Sequence, residues 1–207
     1  MSKELKNAQG SDGWHSDRLA HASASHAHEI LSSNSTLGYR KYRAQLVMEA
    51  VTGKKTETYS NDYMDTGTEN EPVARLLYSM KTGHAVRESG FWVHDKIKAG
   101  ASPDGVVDDK FGIEIKTQLP HIHLMALIDK FIDPKYQKQM DFQMWITGFP
   151  YMDFVSYSPL VEDDTINLSI IRYNRDEERI GEIENQTKIL LKDVGVYNDK
   201  LEKLRNA

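Results

Sequence analysis

The stretch Gly112-Ile113-Glu114-Ile115-Lys116-Thr117 constrains the fold more than any other, because apolar and charged residues alternate in it with the period of a β-strand. A strand there turns Ile113 and Ile115 into a core and sets Glu114 and Lys116 together on the opposite face. Upstream, Ser102-Pro103-Asp104-Gly105 runs into Val106-Val107, and Gly105 lets the chain turn into an adjoining strand. A hairpin through Asp108-Asp109-Lys110-Phe111-Gly112 then brings Asp104 beside Glu114. A solvent-facing salt bridge on a two-stranded ribbon accounts for a bare Glu-x-Lys pair. It gives no reason for Pro-Asp-Gly at hairpin distance.

Helical periodicity frames this hairpin. Ser23-Ala24-Ser25 offers a cap for a helix over His26 to Ser32, and serines at a helix start make an anion site if Arg18 reaches them. A second helix fits Tyr39 to Val51, with Tyr39, Tyr42, Leu46 and Ala50 on one stripe and Gly53 as its stop. A third runs from Glu69 to Lys81, with Pro72 in its first turn and Val73, Leu76, Leu77 and Met80 facing inward. Ala85 to His94 reads as one strand. After the hairpin, a helix fits Pro134 to Thr147, carrying Tyr136, Met140 and Met144 on one stripe and stopped at Gly148. Strands follow at Met152–Tyr157 and Thr165–Tyr173. The last segment is a long helix opened by Asn174, with Glu177 three residues on. Its apolar seam, Ile180, Ile183, Leu190, Val194, Tyr197, Leu201 and Leu204, suits either packing on the domain or a subunit contact. This order predicts an α/β (α+β) fold with a central mixed β-sheet flanked by helices and a long C-terminal helix. Residues 1–13 read as a mobile start, and 14–207 as a single domain.

Composition removes several alternatives. A chain of 207 residues can bury one sizeable core. It holds no cysteine, which excludes disulfides, thiolate zinc sites, iron–sulfur clusters and a cysteine nucleophile. The polar start and short apolar runs such as Leu124–Ile128 predict a soluble, cytoplasmic protein with no membrane contact. The formal charge of −5 argues against a passive coat on nucleic acid. It leaves room for a local basic surface, and Arg40, Lys41, Arg43, Lys54 and Lys55 form the densest one. The pairs His26-x-His28 and His121-x-His123 lack the spacing of a zinc hydrolase. No phosphate-binding Walker loop, Gly-x-Ser-x-Gly elbow or Gly-x-Gly-x-x-Gly turn is present.

Asp104 and Glu114 are hard oxygen ligands, with Glu71 as a third, and such a set suits Mg²⁺ or Mn²⁺. In phosphodiester hydrolysis a divalent ion polarises the phosphoryl oxygens and acidifies a water, and Lys116 can orient that water or offset transition-state charge.

Ser-Pro-Asp104-Gly with Gly-Ile-Glu114-Ile-Lys116 resembles the PD-(D/E)xK nuclease motif. The surroundings resemble the YqaJ-like viral recombinases, the lambda-exonuclease family, from about Trp14 to Pro159. Trp14-His15, Arg18-Leu19 and Ser23-Ala24-Ser25 match the family's N-terminal motif. Gly67-x-x-x-Glu71 matches the helix that supplies an extra acid, and Tyr136-x-x-Gln139-x-Asp141 the segment after the catalytic hairpin. The resemblance implies a restriction-endonuclease-like core and a Mg²⁺-dependent exonuclease that digests one strand of linear double-stranded DNA from its 5′ end. It also implies a homotrimer that works with a single-strand-annealing protein in phage recombination. Asp104, Glu114 and the Ile115 carbonyl would hold metal with help from Glu71, and Lys116 would act on the water beside Gln139. Arg18, Ser23, Ser25 and Ser102 would hold the 5′-phosphate. Asp141 stands where the family usually has a second glutamine, either as a tolerated variant adding a metal contact or as a sign of altered rate or metal preference. An endonuclease of the same fold and an inert DNA-binding scaffold are the competing readings.

Overall fold

The computed structural model describes residues 2–56 and 62–207, with the side chains of 62–66 and 68 outside the description. In chain order the elements are β1 (Lys3–Glu4), α1 (Asp12–Arg18), β2 (Ala22–Ser23), a 3-10 turn (Ala24–His26), α2 (Ala27–Ile30), α3 (Leu37–Thr52), α4 (Asp62–Thr82), β3 (Val86–Arg87) and β4 (Trp92–Val93). There follow β5 (Ala99–Ala101), β6 (Gly105–Val107), β7 (Phe111–Thr117), α5 (Pro120–Ile128), α6 (Pro134–Thr147), β8 (Tyr151–Tyr157), β9 (Leu168–Asn174) and α7 (Glu177–Arg205).

The principal sheet has five strands in the order β3-β6-β7-β8-β9, all antiparallel neighbours except the parallel pair β7 and β8. A parallel pair needs a crossover, and α5 and α6 supply it. A smaller sheet of order β1-β4-β5-β2 stands beside it. This is the mixed, helix-flanked α/β fold that the sequence predicts. The hairpin forms as expected, with Gly105 opposite Ile113 and a turn in which Asp108 and Asp109 take φ of 49° and 55°. Aspartate tolerates that left-handed region better than most residues.

Each face of the principal sheet has its own cover. Phe111, Ile113, Ile115, Val155 and Leu168 pack with Ala74 and Tyr78 of α4. Met152 and Phe154, on the other face, join Met140, Phe142 and Met144 of α6. Glu114 points to that second side and is fully buried there. Helix α6 starts where Asp133 accepts from the Lys135 N–H behind Pro134, and it ends where Gly148 enters the left-handed region at φ 77°.

Several boundaries differ from the sequence expectations. The strand expected over Ala85–His94 is two short strands in different sheets. The chain breaks at Gly90, whose N–H donates to Glu4 Oε1 at 2.9 Å, and Arg87 pairs with the same carboxylate. The start, expected to be mobile, therefore contributes β1, paired with β4. Helix α4 turns Ala74 and Tyr78 inward and leaves Val73, Leu76 and Met80 exposed, because the Tyr78 hydroxyl donates to buried Asp153 at 2.7 Å. The cap of α7 is Asp176, which accepts from the N–H groups of Glu178 and Arg179; Asn174 closes β9 instead. From Ile180 to Val194 the α7 seam packs on the domain, while Tyr197 and Leu204 stay exposed. Ser23 caps no helix by its side chain.

Strand β5 leads straight into Ser102, so its packing positions the site. A Cβ on Gly100 would stand 2.2 Å from Phe91 Cζ and 2.6 Å from the Trp92 carbonyl oxygen. Gly100→Ala should lower unfolding stability by about 1–3 kcal/mol or more in a denaturant titration. An unchanged midpoint would contradict this packing.

Candidate active site

Asp104 ends the Ser-Pro-Asp approach and is held by backbone on both sides. Its N–H donates to the Ile113 carbonyl at 3.1 Å, and its Oδ2 accepts from the Ile115 N–H at 2.7 Å. In a strand the N–H and C=O of one residue point to the same side. The Ile115 carbonyl therefore lies on the Asp104 edge, past the last paired residue of β6.

Glu114 and Lys116, two positions apart on one face, meet with Lys116 Nζ 2.5 Å from Glu114 Oε1. The other carboxylate oxygen accepts from Gln143 Nε2 at 2.7 Å, and the same amide reaches the Ser102 carbonyl at 3.4 Å. Lys116 also lies 5.1 Å from the Tyr136 ring centre. Arg75 Nε donates to the Asp104 carbonyl oxygen at 3.1 Å, and Arg75 Nη2 stands 3.7 Å from Glu71.

The electrostatics are those of crowded, buried carboxylates. Burial and the neighbouring Glu114 push the Asp104 carboxyl well above its usual range, against the opposing pull of Lys116. Burial raises Glu71 as well, with Lys116 and Arg75 pulling the other way and Glu114 adding to the rise. Burial alone would lower Lys116, but Glu114 and Asp104 overcome it and hold the ammonium charged. Lys116, with Arg75 beside Glu71, does not bring these two carboxyls back to their usual range.

This shortfall of positive charge around hard oxygens fits a divalent cation. The Gln143 Oε1 atom, buried and without a hydrogen-bond partner among the described residues, adds an unused acceptor at the same place. Among the described residues no three His, Cys, Asp or Glu side chains stand close enough to hold an ion by themselves. The fitting donor set is thus Asp104, Glu114 and the Ile115 carbonyl, with Glu71 further off.

The N-terminal motif closes on this centre. Trp14 Nε1 donates to Ser102 Oγ at 2.9 Å, and the Arg18 guanidinium lies 4.1 Å from the Trp14 ring centre. Arg18 Nη2 donates to Ser25 Oγ at 3.4 Å, and Ser23 and Ser25 share a hydroxyl hydrogen bond of 3.1 Å. A cavity of about 160 Å³ is lined by Arg18, Ser23, Ser25, Ser102, Asp104 and Gln139, so these six meet in one space.

Asp141 is elsewhere. Its carboxylate accepts from Tyr173 and Arg179, each at 3.0 Å, and burial raises its pKa against those partners. The structure ties it to Arg179 and Tyr173 rather than to the carboxylate pair. The basic patch also divides: Arg43 lies 3.8 Å over the Tyr197 ring and near Asp193, inside the α3–α7 contact, while Arg40 and Lys41 stay exposed. His123 is buried, bonded to Ser156 and the Ile166 carbonyl. Sequence reading missed Gln143 and Arg75. Gln143 follows Gln139 by four residues and so shares its helix face, a signal present in the spacing.

In this α/β protein Asp104, held beside the buried Glu114 and Lys116, also lines the cavity that holds Arg18 and the serines. The sequence matches the YqaJ-like viral recombinase domain over residues 13–150, and the chain belongs to that family. It is similar to an alkaline exonuclease, LHK-Exo from Laribacter hongkongensis, at 32% identity and TM-score 0.86, covering 95% of this chain and 98% of that one. LHK-Exo in complex with dAMP gives 33% identity and TM-score 0.87 over the same shares. A phage related exonuclease from Haemophilus somnus 129PT shares the fold at 17% identity and TM-score 0.65, covering 87% of this chain and 96% of that one. No curated protein sequence matches the chain.

The position of Asp141 makes it a structural residue. Asp141→Asn should cost about 1–3 kcal/mol of stability by weakening the bonds to Arg179 and Tyr173, while hydrolysis per folded molecule stays near wild type. Loss of hydrolysis at full stability would return Asp141 to the site.

Proposed function

We propose that this chain is a Mg²⁺-dependent exonuclease that degrades one strand of linear double-stranded DNA from the 5′ end. The observation that carries the reading is the single cavity joining Arg18, Ser23, Ser25 and Ser102 to Asp104. It separates an end-phosphate pocket from Asp104 by no more than the cavity's own width. A terminal nucleotide can therefore bridge the two, its 5′-phosphate at Arg18 and its 3′ linkage at Asp104 and Glu114. The two LHK-Exo structures, one titled an alkaline exonuclease and the other a complex with dAMP, support the same assignment.

In this mechanism each residue has a limited task. Asp104, Glu114 and the Ile115 carbonyl hold Mg²⁺ (or Mn²⁺), which when bound supplies electrostatic stabilisation of the phosphoryl oxygens and a more acidic water. The Ile115 N–H fixes the Asp104 carboxylate, and Gln143 fixes that of Glu114. Lys116 orients the attacking water and offsets charge gathering on the phosphoryl group. Gln139, on the cavity wall, positions the linkage beside Asp104. Glu71 acts at longer range, through Lys116. Arg18 and the serine hydroxyls bind the end phosphate, as expected of a bidentate cation beside small donors.

Function in recombination, with a single-strand-annealing protein and as a homotrimer in the bacterial cytoplasm, completes the proposal on the strength of family membership. No described helix is long and apolar enough to cross a membrane.

The test is end-labelled linear duplex with Mg²⁺. Nucleotides should leave from the 5′-labelled strand only, and chelation should stop the reaction. Release from the 3′ end, or equal cutting of a closed circle, would replace the reading with a different nuclease. Asp104→Ala and Lys116→Ala should each reduce hydrolysis at least about 10²-fold, the scale of losing one electrostatic or acid–base contributor, with metal-free DNA binding retained. Arg18→Ala should erase the preference for 5′-phosphorylated ends, and an unchanged preference would remove Arg18 from the pocket.

A further inference from the structure

Arg18 stands between two cavities. Beyond it, away from Asp104, lies a second space of about 400 Å³ that shares Arg18, Ser23 and Ser25 with the smaller one. The first suits a phosphate group. The second falls within the roughly 300–1,000 Å³ of small-molecule sites and is too large for phosphate alone.

The chemistry of the larger cavity is cationic and aromatic. Arg18 and Lys55 line it, with Lys55 Nζ 3.4 Å from His15 Nδ1. The one carboxylate among its described lining residues, Glu49, is already committed: Oε2 accepts from the Ala20 N–H at 3.1 Å, and Oε1 from Gln45 Nε2 at 2.9 Å and the Thr56 N–H at 3.3 Å. His26 and Tyr42 both line it, the partly exposed imidazole stacked on the buried Tyr42 ring with ring centres 3.9 Å apart. Cations beside ring faces are what a nucleotide requires, for its phosphate and its base respectively. The removal of single nucleotides calls only on the wall it shares with the smaller cavity, Arg18, Ser23 and Ser25.

We propose that the larger cavity is a second nucleotide subsite, which receives the terminal nucleotide when the strand seats one position further in, so that a dinucleotide is released. The inference rests on the exonuclease reading. In this register the first internucleotide phosphate occupies the Arg18 pocket and the terminal 5′-phosphate reaches Lys55. Water oxygen bonds to the phosphorus of the second linkage, the bond from that phosphorus to the 3′ oxygen breaks, and the 3′ oxygen takes a proton. The dinucleotide leaves with its 5′-phosphate and a 3′-hydroxyl, and the shortened strand keeps a 5′-phosphate.

The experiment uses the full chain, Mg²⁺ and 5′-labelled linear duplex whose first linkage is a hydrolysis-resistant phosphorothioate, beside the unmodified duplex. A labelled dinucleotide should appear from the modified substrate. Lys55 is exposed, so Lys55→Ala should fold normally. It should lower dinucleotide release roughly tenfold and keep mononucleotide release from unmodified duplex within about twofold of wild type, as expected from losing one charged phosphate contact used in one register only. Lys55→Arg should restore dinucleotide release. The proposal is overturned if unmodified duplex is digested but the modified one yields no labelled dinucleotide, or if Lys55→Ala slows both reactions equally. If neither duplex is digested, the exonuclease reading itself fails and takes this inference with it.

Discussion

The hydrogen bond from the Ile115 N–H to the Asp104 carboxylate, 2.7 Å long and buried, fixes the relation between the two strands that carry the chemistry. It forms because β6 begins only at Gly105, opposite Ile113, while β7 runs on, leaving the backbone of Ile115 without a strand partner on that edge. A side chain from the approach to β6 takes the place of the missing strand. The same missing strand leaves the Ile115 carbonyl facing the carboxylates. An unpaired buried donor there would cost about 1–3 kcal/mol, so Asp104 serves the fold as well as the site.

The chemistry follows from crowding acids around that bond. Asp104 and Glu114 are both buried, and Lys116 is the one ammonium directly against them. Raising the Asp104 pKa by burial and by Glu114 is the mark of a place where positive charge is short. The cavity lined by Arg18, Ser23, Ser25 and Ser102 is tied to this centre covalently and by packing. Ser102 is two residues from Asp104 and accepts from Trp14, whose ring carries Arg18. Smaller-sheet strand β5 leads into Ser102, and β2 of the same sheet ends at Ser23. Two separate parts of the chain thus reach one cavity by pairing side by side.

Much of this was legible in the sequence wherever local period and local chemistry agreed. The alternation through Gly112–Thr117 specified the strand, its buried face and the Glu114–Lys116 pair, and Pro-Asp-Gly located its partner. What depended on distant partners was not legible. Ala85–His94 carries strand-like residues throughout, but Glu4 and Leu5 from the N-terminus divide it between two sheets. In α4 the apolar stripe Val73, Leu76 and Met80 has helical spacing, yet Tyr78 and Ala74 face the sheet because Tyr78 bonds Asp153. Asp141 is instructive in the opposite sense. At 3.6 residues per turn, two residues after Gln139 is about 200° around the helix, whereas Gln143 returns to within about 40°. Helix geometry alone separates Asp141 from Gln139 and selects Gln143.

The central claim is that Asp104 and Glu114 form a divalent-metal centre on the hairpin. Titration of the DNA-free protein with Mn²⁺, followed by the loss of the free-ion electron paramagnetic resonance signal, tests it without relying on hydrolysis. Wild-type protein should bind the ion saturably, and Asp104→Asn and Glu114→Gln should each abolish or sharply weaken that binding while thermal unfolding remains cooperative. Binding by the variants as tight as wild type would place the metal elsewhere and contradict the claim.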